Sequence, residues 1–140
     1  MIKKLLLPTD GSEHAERTVQ YATELAKMSG ATIVALYAFN PPVSLRSRGA
    51  MMEEFRASLA EEAREIIAEV GERLKAEGLQ VTALAVEGPA AEAILRATED
   101  EKPDLIVMGS RGNGGLPGLP LGGVAERVVR MSPVPVLVVK

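Results

Sequence analysis

The chain has 140 residues, 46% of them hydrophobic, and its 16 basic and 19 acidic side chains leave a formal net charge of −3. This length suits one domain spanning residues 1–140, with enough apolar material for one core. With no Cys and one His, the composition excludes disulfides and Cys- or His-rich metal sites, and its few aromatics and slight acidity disfavour nucleic-acid binding.

Short apolar runs rich in β-branched residues alternate with segments of helical period, a pattern typical of alternating strands and helices. The first strand is predicted over residues 2–7, and its apolar run is too short for a signal peptide or a membrane span. We therefore expect a protein that is soluble and cytoplasmic. A helix capped by Ser12 and stopped by Gly30 follows, and a second strand over residues 32–39 comes next. The spacing of apolar residues predicts the buried face of that helix: Ala15, Val19, Ala22 and Ala26.

A longer helix is predicted over residues 51–77, because apolar residues recur along one stripe and Gly78 can end the helix. The predicted inward stripe consists of Met52, Phe55, Leu59, Ala63, Ile66, Val70 and Leu74. The third strand, over residues 80–86, leads to a helix that opens with Gly88 and Pro89 at its cap and first turn. Ile94 and Leu95 of that helix are expected to face inward.

The last predicted elements are a strand over residues 105–108, a helix over 124–131 and a closing strand over 134–139. Strands joined in this way by helices predict an α/β fold, in which right-handed crossovers give an open parallel sheet with helices on both faces. Ligands of such sheets bind beyond the carboxyl ends of the strands, where the winding reverses. The ends of the first, second and fourth strands are therefore the candidate positions.

A glycine-rich segment over residues 109–123 is longer than connections in α/β units usually are. Glycines let a backbone approach a bound group, and the start of the following helix adds its positive end, so the expected ligand is anionic. Arg111 supplies a positive charge at the same rim. The dinucleotide fingerprint is absent because Pro117 stands at its third glycine position, and the chain has no GxxxxGK[ST] element. Glycine content by itself is equally consistent with a loop that binds nothing.

Polar side chains near these positions allow more than one interpretation. Asp10, at the end of the first strand, can accept hydrogen bonds from a ligand, or can organise the turn and cap the first helix together with Ser12. His14 is expected to be an exposed side chain without a catalytic role. Arg46 and Arg48 can flank a phosphate, although solvation is favoured.

Taken together, three segments resemble the universal stress protein family over the whole chain. Residues 6–12 (LLPTDGS) resemble the first strand and turn of that family, residues 105–112 its fourth strand, and residues 133–139 its closing strand. The nucleotide-binding members carry the pattern G-x2-G-x9-G-[S/T], and this chain has glycine at those three positions: Gly109, Gly112 and Gly122. Gly123 stands where those members have Ser or Thr, so a hydroxyl that would contact a terminal phosphate is missing.

The resemblance implies the strand order 3-2-1-4-5 of the adenine nucleotide alpha-hydrolase-like fold, which brings the ends of the first and fourth strands together. The implied ligand is an adenine nucleotide, either ATP or one of ADP and AMP, with or without Mg²⁺. By resemblance, Asp10 and the backbone around Ala38 hold the adenine, Gly109 the ribose side, and Gly112 with residues 122–124 the phosphates. The full set of predicted site residues is Pro8, Thr9, Asp10, Ala38, Met108, Gly109, Arg111, Gly112, Gly122, Gly123 and Val124.

Three functions fit these observations. The preferred one is a nucleotide-binding regulator or signalling dimer in a stress response, and the alternative is a protein-interaction scaffold without nucleotide, as Gly123 would allow. A slow ATPase or phosphotransferase is the weakest, because phosphoryl transfer needs several positioned groups and Asp10 is the one well-placed acid. We expect a homodimer through residues 134–139, since an apolar edge strand exposes unpaired backbone groups, and the resemblance supports that pairing. Neither nucleic acid nor a membrane is an expected partner, and the sequence identifies no partner protein.

Overall fold

The computed structural model describes residues 1–42, 49–111 and 121–140. Its strands are β1 (Lys4–Pro8), β2 (Thr32–Phe39), β3 (Val81–Glu87), β4 (Leu105–Gly109) and β5 (Val136–Val139). Its helices are α1 (Glu16–Ser29), α2 (Gly49–Ala76), α3 (Ala90–Glu101) and α4 (Gly123–Met131), and a 3₁₀ turn (Glu13–Ala15) leads into α1. All strand pairs are parallel and the sheet has the order β3-β2-β1-β4-β5, which confirms the predicted fold class and strand order.

The central strand β1 is covered on both faces of the sheet. Leu5 and Leu7 pack in one apolar cluster with α1 and α2, while Leu6 packs in the opposite cluster with α3 and α4. This alternation follows from the two-residue period of a strand. All three leucines are 0% exposed, and burying a side chain of this size stabilises the fold by about 1.5–3 kcal/mol.

The first helix ends as predicted. Gly30 has φ +75°, in the left-handed region that favours glycine, and its N–H donates to the carbonyl of Ala26 at 2.8 Å. The predicted side-chain cap by Ser12 is wrong, because Ser12 precedes the 3₁₀ turn but makes no capping hydrogen bond. Ala15 lies in that turn and is partly exposed rather than buried.

The inward stripe predicted for α2 is correct only for its C-terminal half, where the buried residues are Ala63, Ile67, Val70, Gly71 and Leu74. Phe55 is 47% exposed, Met52 and Leu59 are partly exposed, and Ile67 is buried in place of Ile66. The reason is length. The helix has 28 residues and spans about 42 Å at 1.5 Å per residue, whereas β2 has 8 residues and spans about 26 Å. The N-terminal half of α2 therefore extends beyond the sheet.

The remaining differences from the predictions lie at element ends. The strand β5 begins at Val136 rather than at residue 134, and α4 begins at Gly123 rather than at Val124. The third helix has Pro89 as its N-cap, and Gly88 before it has φ +140°. Within the described ranges, no helix has the length and apolar character needed to cross a membrane.

Candidate functional site

A cleft of about 410 Å³ opens at the carboxyl ends of β1 and β4, where the winding of the sheet reverses. This volume lies in the range of small-molecule sites. The predicted site residues that line it are Pro8, Thr9, Asp10, Ala38, Met108, Gly109, Arg111, Gly122, Gly123 and Val124. The structure thus brings together residues from four distant parts of the chain, and their role in binding stays a prediction. Gly112, the other predicted site residue, lies outside the described residues, as do Arg46 and Arg48.

The turn after β1 holds Asp10 at the cleft. Asp10 Oδ1 accepts a hydrogen bond from the N–H of Ser12 at 2.9 Å, and Thr9 Oγ1 accepts one from the N–H of Gly11 at 3.2 Å. The N–H of Thr9 donates to the carbonyl of Leu36 at 2.9 Å, which ties the turn to β2. Asp10 therefore organises the turn and also lines the cleft, so the two interpretations of this residue are compatible. A carboxylate can accept several hydrogen bonds at once.

Gly11 brings α2 into direct contact with this turn. Its φ is +74°, and a Cβ added there would lie 2.8 Å from Ile66 Cγ2 of α2. Real Cβ atoms essentially never approach another atom so closely, so both the backbone conformation and the packing require glycine here. The long helix is thus packed against the backbone that positions Asp10.

The other side of the cleft is formed where β4 ends and α4 begins. The N–H of Gly122 donates to the carbonyl of Ser110 at 2.7 Å, and the N–H of Ser110 donates to the carbonyl of Val139 at 2.8 Å. A Cβ on Gly122 would lie 3.1 Å from Ser110 O, whereas a Cβ on Gly123 would have no atom of the described residues within 4 Å. The first turn of α4 lines the cleft, and the backbone N–H groups of a helix start attract anions.

The cleft also contains residues that were not predicted: Ser12, His14, Ala15, Thr18, Leu36, Tyr37, Ala90, Ile94, Ser110 and Ala125. Leu36 and Ile94 are buried and give the interior an aliphatic character. The hydroxyl of Ser12 is buried and has no hydrogen-bond partner in the described part of the chain. Ser110 and Tyr37 are adjacent in the chain to the predicted site residues Gly109 and Ala38, so their positions in the sequence could have indicated that they line the cleft. No sequence signal indicated that the start of α3 would reach the cleft.

The charged side chains in the described lining are Asp10, Arg111 and, when protonated, His14. Arg111 is exposed at the rim, as expected. Among the described residues, no group of three or more His, Asp and Glu side chains could hold a metal ion. The cleft thus combines the carboxylate of Asp10, the positive charge of Arg111 at its rim and the start of α4. This combination suits a small ligand with hydrogen-bond donors at one end and negative charge at the other.

An open parallel sheet whose winding reverses at β1 and β4 defines a doubly wound α/β protein, and the cleft lies where ligands of such sheets bind. The chain belongs to the universal stress protein family, whose family model matches residues 1–140. It is 37% identical over 146 residues to the universal stress protein in the QAH/OAS sulfhydrylase 3′ region of Thermus aquaticus, and the match covers 100% of both chains. These findings confirm the resemblance inferred from the motifs.

Solved structures show the same relationship. The structure of MJ0577 matches with a TM-score of 0.90 and 34% identity, over 100% of this chain and 96% of that one. MJ0577 is a universal stress protein of Methanocaldococcus jannaschii. A universal stress protein in complex with cAMP matches with a TM-score of 0.75 and 28% identity, over 99% of this chain and 97% of that one.

Proposed function

We propose that this protein binds an adenine nucleotide in the cleft between β1 and β4 and acts as a cytoplasmic stress-response regulator. The observation that carries the proposal is the cleft itself, which joins Asp10, an aliphatic interior and the start of α4 in one space of about 410 Å³. The complex of a 28% identical family member with cAMP supports the choice of an adenine nucleotide. A cytoplasmic location is consistent with a cysteine-free composition.

The two ends of the cleft have different chemistry, which orients the ligand. The adenine lies at the end formed by Asp10 and Ala38, where a carboxylate accepts a hydrogen bond from the amino group and aliphatic side chains contact the ring. The phosphates lie at the start of α4, where backbone N–H groups and Arg111 meet negative charge. ATP is the proposed ligand, with ADP and AMP as the competing ones because Gly123 offers no hydroxyl.

Mg²⁺ has no dedicated set of protein ligands in the described residues, since they contain no cluster of three or more acidic or His side chains suited to a metal. The described residues therefore do not fit a resident metal centre. Mg²⁺ commonly reaches protein sites together with nucleotide phosphates and keeps several of its waters. We derive no step of the proposed binding from it.

Calorimetric titration with ATP, ADP and AMP tests this proposal. Asp10→Asn retains an oxygen for the Ser12 N–H but removes the charge, so we expect it to weaken binding by about 0.5–1.5 kcal/mol. Asp104→Asn is the matched control, because it makes the same charge change at the start of β4, at the opposite end of the sheet from the cleft. If none of the three nucleotides binds the native protein at millimolar concentration, the proposal is wrong. Equal weakening by both variants would remove the proposed role of Asp10.

A protein-interaction scaffold without nucleotide is the second candidate, and Gly123 is the observation that favours it. This function predicts that Asp10→Asn leaves partner binding intact while no nucleotide copurifies with the native protein. Denaturing the purified protein and identifying any released nucleotide separates the two functions. Slow ATP hydrolysis is tested by measuring the rate of phosphate release. This activity is assigned to the cleft only if the rate is lower in Asp10→Asn than in the native protein.

We further propose that the protein forms a homodimer through residues 134–139. The strand β5 lies at the edge of the sheet, and the carbonyls of Pro135 and Val139 accept hydrogen bonds from the β4 side. Because backbone groups alternate along a strand, those of Val136 and Val138 point away from β4 and can pair with a second chain. Sedimentation is expected to give a dimer at micromolar concentration, and Val138→Pro, which removes one of these donors, is expected to give a monomer. A monomeric native protein would contradict the proposal.

A further inference from the structure

His14 is the one histidine of the chain, and it lines the cleft. It belongs to the 3₁₀ turn before α1 and is exposed, whereas Thr18, four residues further on, is 2% exposed in the same lining. A Cβ added to Gly109 would lie 3.3 Å from Thr18 Oγ1, so this side of α1 faces the end of β4. His14 is therefore an exposed part of the cleft lining, in the turn that leads into this side of α1.

The charges around His14 favour an anion at this position. Arg111 lines the same cleft after β4, and the first turn of α4 contributes its N–H groups. Asp10 and Tyr37 are the other ionisable groups in the described lining. Three charged side chains lie close to His14 in the chain, and none of them lines the cleft: Glu13, Glu16 and Arg17. Glu16 pairs with Arg73 of α2, and Arg17 lies over the ring of Tyr21. Within the described ranges, the imidazole has no hydrogen-bond or ion-pair partner.

Side chains of these types differ in the pH at which they change charge. Carboxylates titrate near pH 4 and phenol and guanidinium groups above about pH 10, whereas imidazole titrates near pH 6.5. The amino group of Met1 precedes the start of β1, at the opposite end of the sheet from the cleft. Of the side-chain types in the described lining, imidazole is the one that ordinarily changes charge near neutral pH.

We propose that His14 is a proton-dependent contact for the anionic group of the ligand, so that the cleft binds its nucleotide more tightly in mildly acidic than in alkaline solution. This inference rests on the proposed nucleotide binding and adds a regulatory input to it. The protonated imidazole attracts the phosphate, and the attraction is lost as the pH rises through the range in which imidazole loses its proton. An exposed ion pair of this kind changes affinity by about two- to fivefold.

The test uses cAMP as the probe, because a phosphodiester keeps a single negative charge throughout this pH range. Calorimetry on the full chain is expected to show two- to fivefold weaker binding at about pH 8 than at about pH 5.5. His14→Gln abolishes this dependence, whereas Glu13→Gln, in the same turn but outside the lining, retains it. Arg111→Gln weakens binding by the same factor at every pH. If ATP binds and cAMP does not, the ratio of native to His14→Gln affinity at each pH is used instead, since protonation of the ligand cancels in that ratio.

A second readout does not depend on affinity. Because the chain has one His, its imidazole Cε1–H resonance is assigned without ambiguity, and its titration midpoint is expected to move to higher pH when cAMP is added. Binding with the same pH dependence in the native protein and in His14→Gln would overturn this inference and leave the proposed function intact. Absence of nucleotide binding at every pH would overturn both. His14 is exposed, so His14→Gln is expected to retain the native melting temperature.

Discussion

Replacement of Gly11 by Ala tests whether α2 packs directly on the turn that positions Asp10. The φ of +74° at Gly11 costs a residue with a Cβ about 1–2 kcal/mol. The new Cβ would also lie 2.8 Å from Ile66 Cγ2, well inside the usual carbon–carbon contact of about 3.5–4.0 Å, and overpacking of this kind costs about 1–3 kcal/mol. We therefore expect Gly11→Ala to lower the free energy of unfolding by about 2–5 kcal/mol, measured by urea denaturation.

Gly30→Ala is the matched control for this experiment. Gly30 has φ +75° and no atom within 4 Å of an added Cβ, so its replacement costs only the backbone part, about 1–2 kcal/mol. In an Ile66→Ala background, which lacks Cγ2, the cost of Gly11→Ala should fall to the same value. The reasoning is refuted if Gly11→Ala destabilises no more than Gly30→Ala, or if the double-mutant cycle shows no coupling between Gly11 and Ile66.

Two further predictions concern the cleft and the opposite end of the sheet. No atom of the described residues lies within 4 Å of an added Cβ at Gly123. Gly123→Ser is therefore expected to tighten ATP binding by about 0.5–1.5 kcal/mol relative to Gly123→Ala in calorimetry, and equal affinities would show that the hydroxyl makes no contact. At the other end, Asp104 Oδ2 accepts hydrogen bonds from the N–H groups of Lys3 at 2.7 Å and Lys4 at 3.0 Å, which lowers the pKa of Asp104. A lowered folded-state pKa means that this contribution to stability is present above the unfolded value of about 3.9 and is lost as the pH falls through the folded-state pKa. Denaturation of native protein and Asp104→Asn should therefore give a stability difference that shrinks below about pH 4, and a constant difference would contradict the assignment.

Much of the fold could be predicted because buried parallel strands have a strong local signal. The run Leu5 to Leu7 is apolar at every position, as a strand covered on both faces requires, and the structure buries all three side chains. The stripe on α2 was harder to interpret. Periodicity shows which face of a helix is apolar but does not show whether a neighbour covers it. It therefore predicts a buried Phe55, although α2 extends beyond the sheet and this side chain is exposed. Similarly, Ile66 and Ile67 are adjacent and equally apolar, and only tertiary packing selects between them.

The candidate site was predictable where it depends on strand ends. Asp10 and Gly109 follow buried strands, and the strand order brings these ends together. Residues contributed by helix faces were not predictable, because the sequence does not show how a helix crosses the sheet. His14 illustrates this limit: the sequence predicts an exposed side chain, which the structure confirms, but gives no sign that this side chain lines the cleft.

Ser110 connects the cleft with the edge strand of the sheet. Its carbonyl accepts from the start of α4 in the cleft, and its N–H donates to the carbonyl of Val139 at the end of the edge strand. These two groups belong to consecutive peptide units, each of which is planar and rigid. The start of α4 and the end of β5 are therefore linked by the two backbone hydrogen bonds of one residue. In a dimer paired through β5, only a short segment of backbone would thus separate a ligand at the start of α4 from the neighbouring subunit.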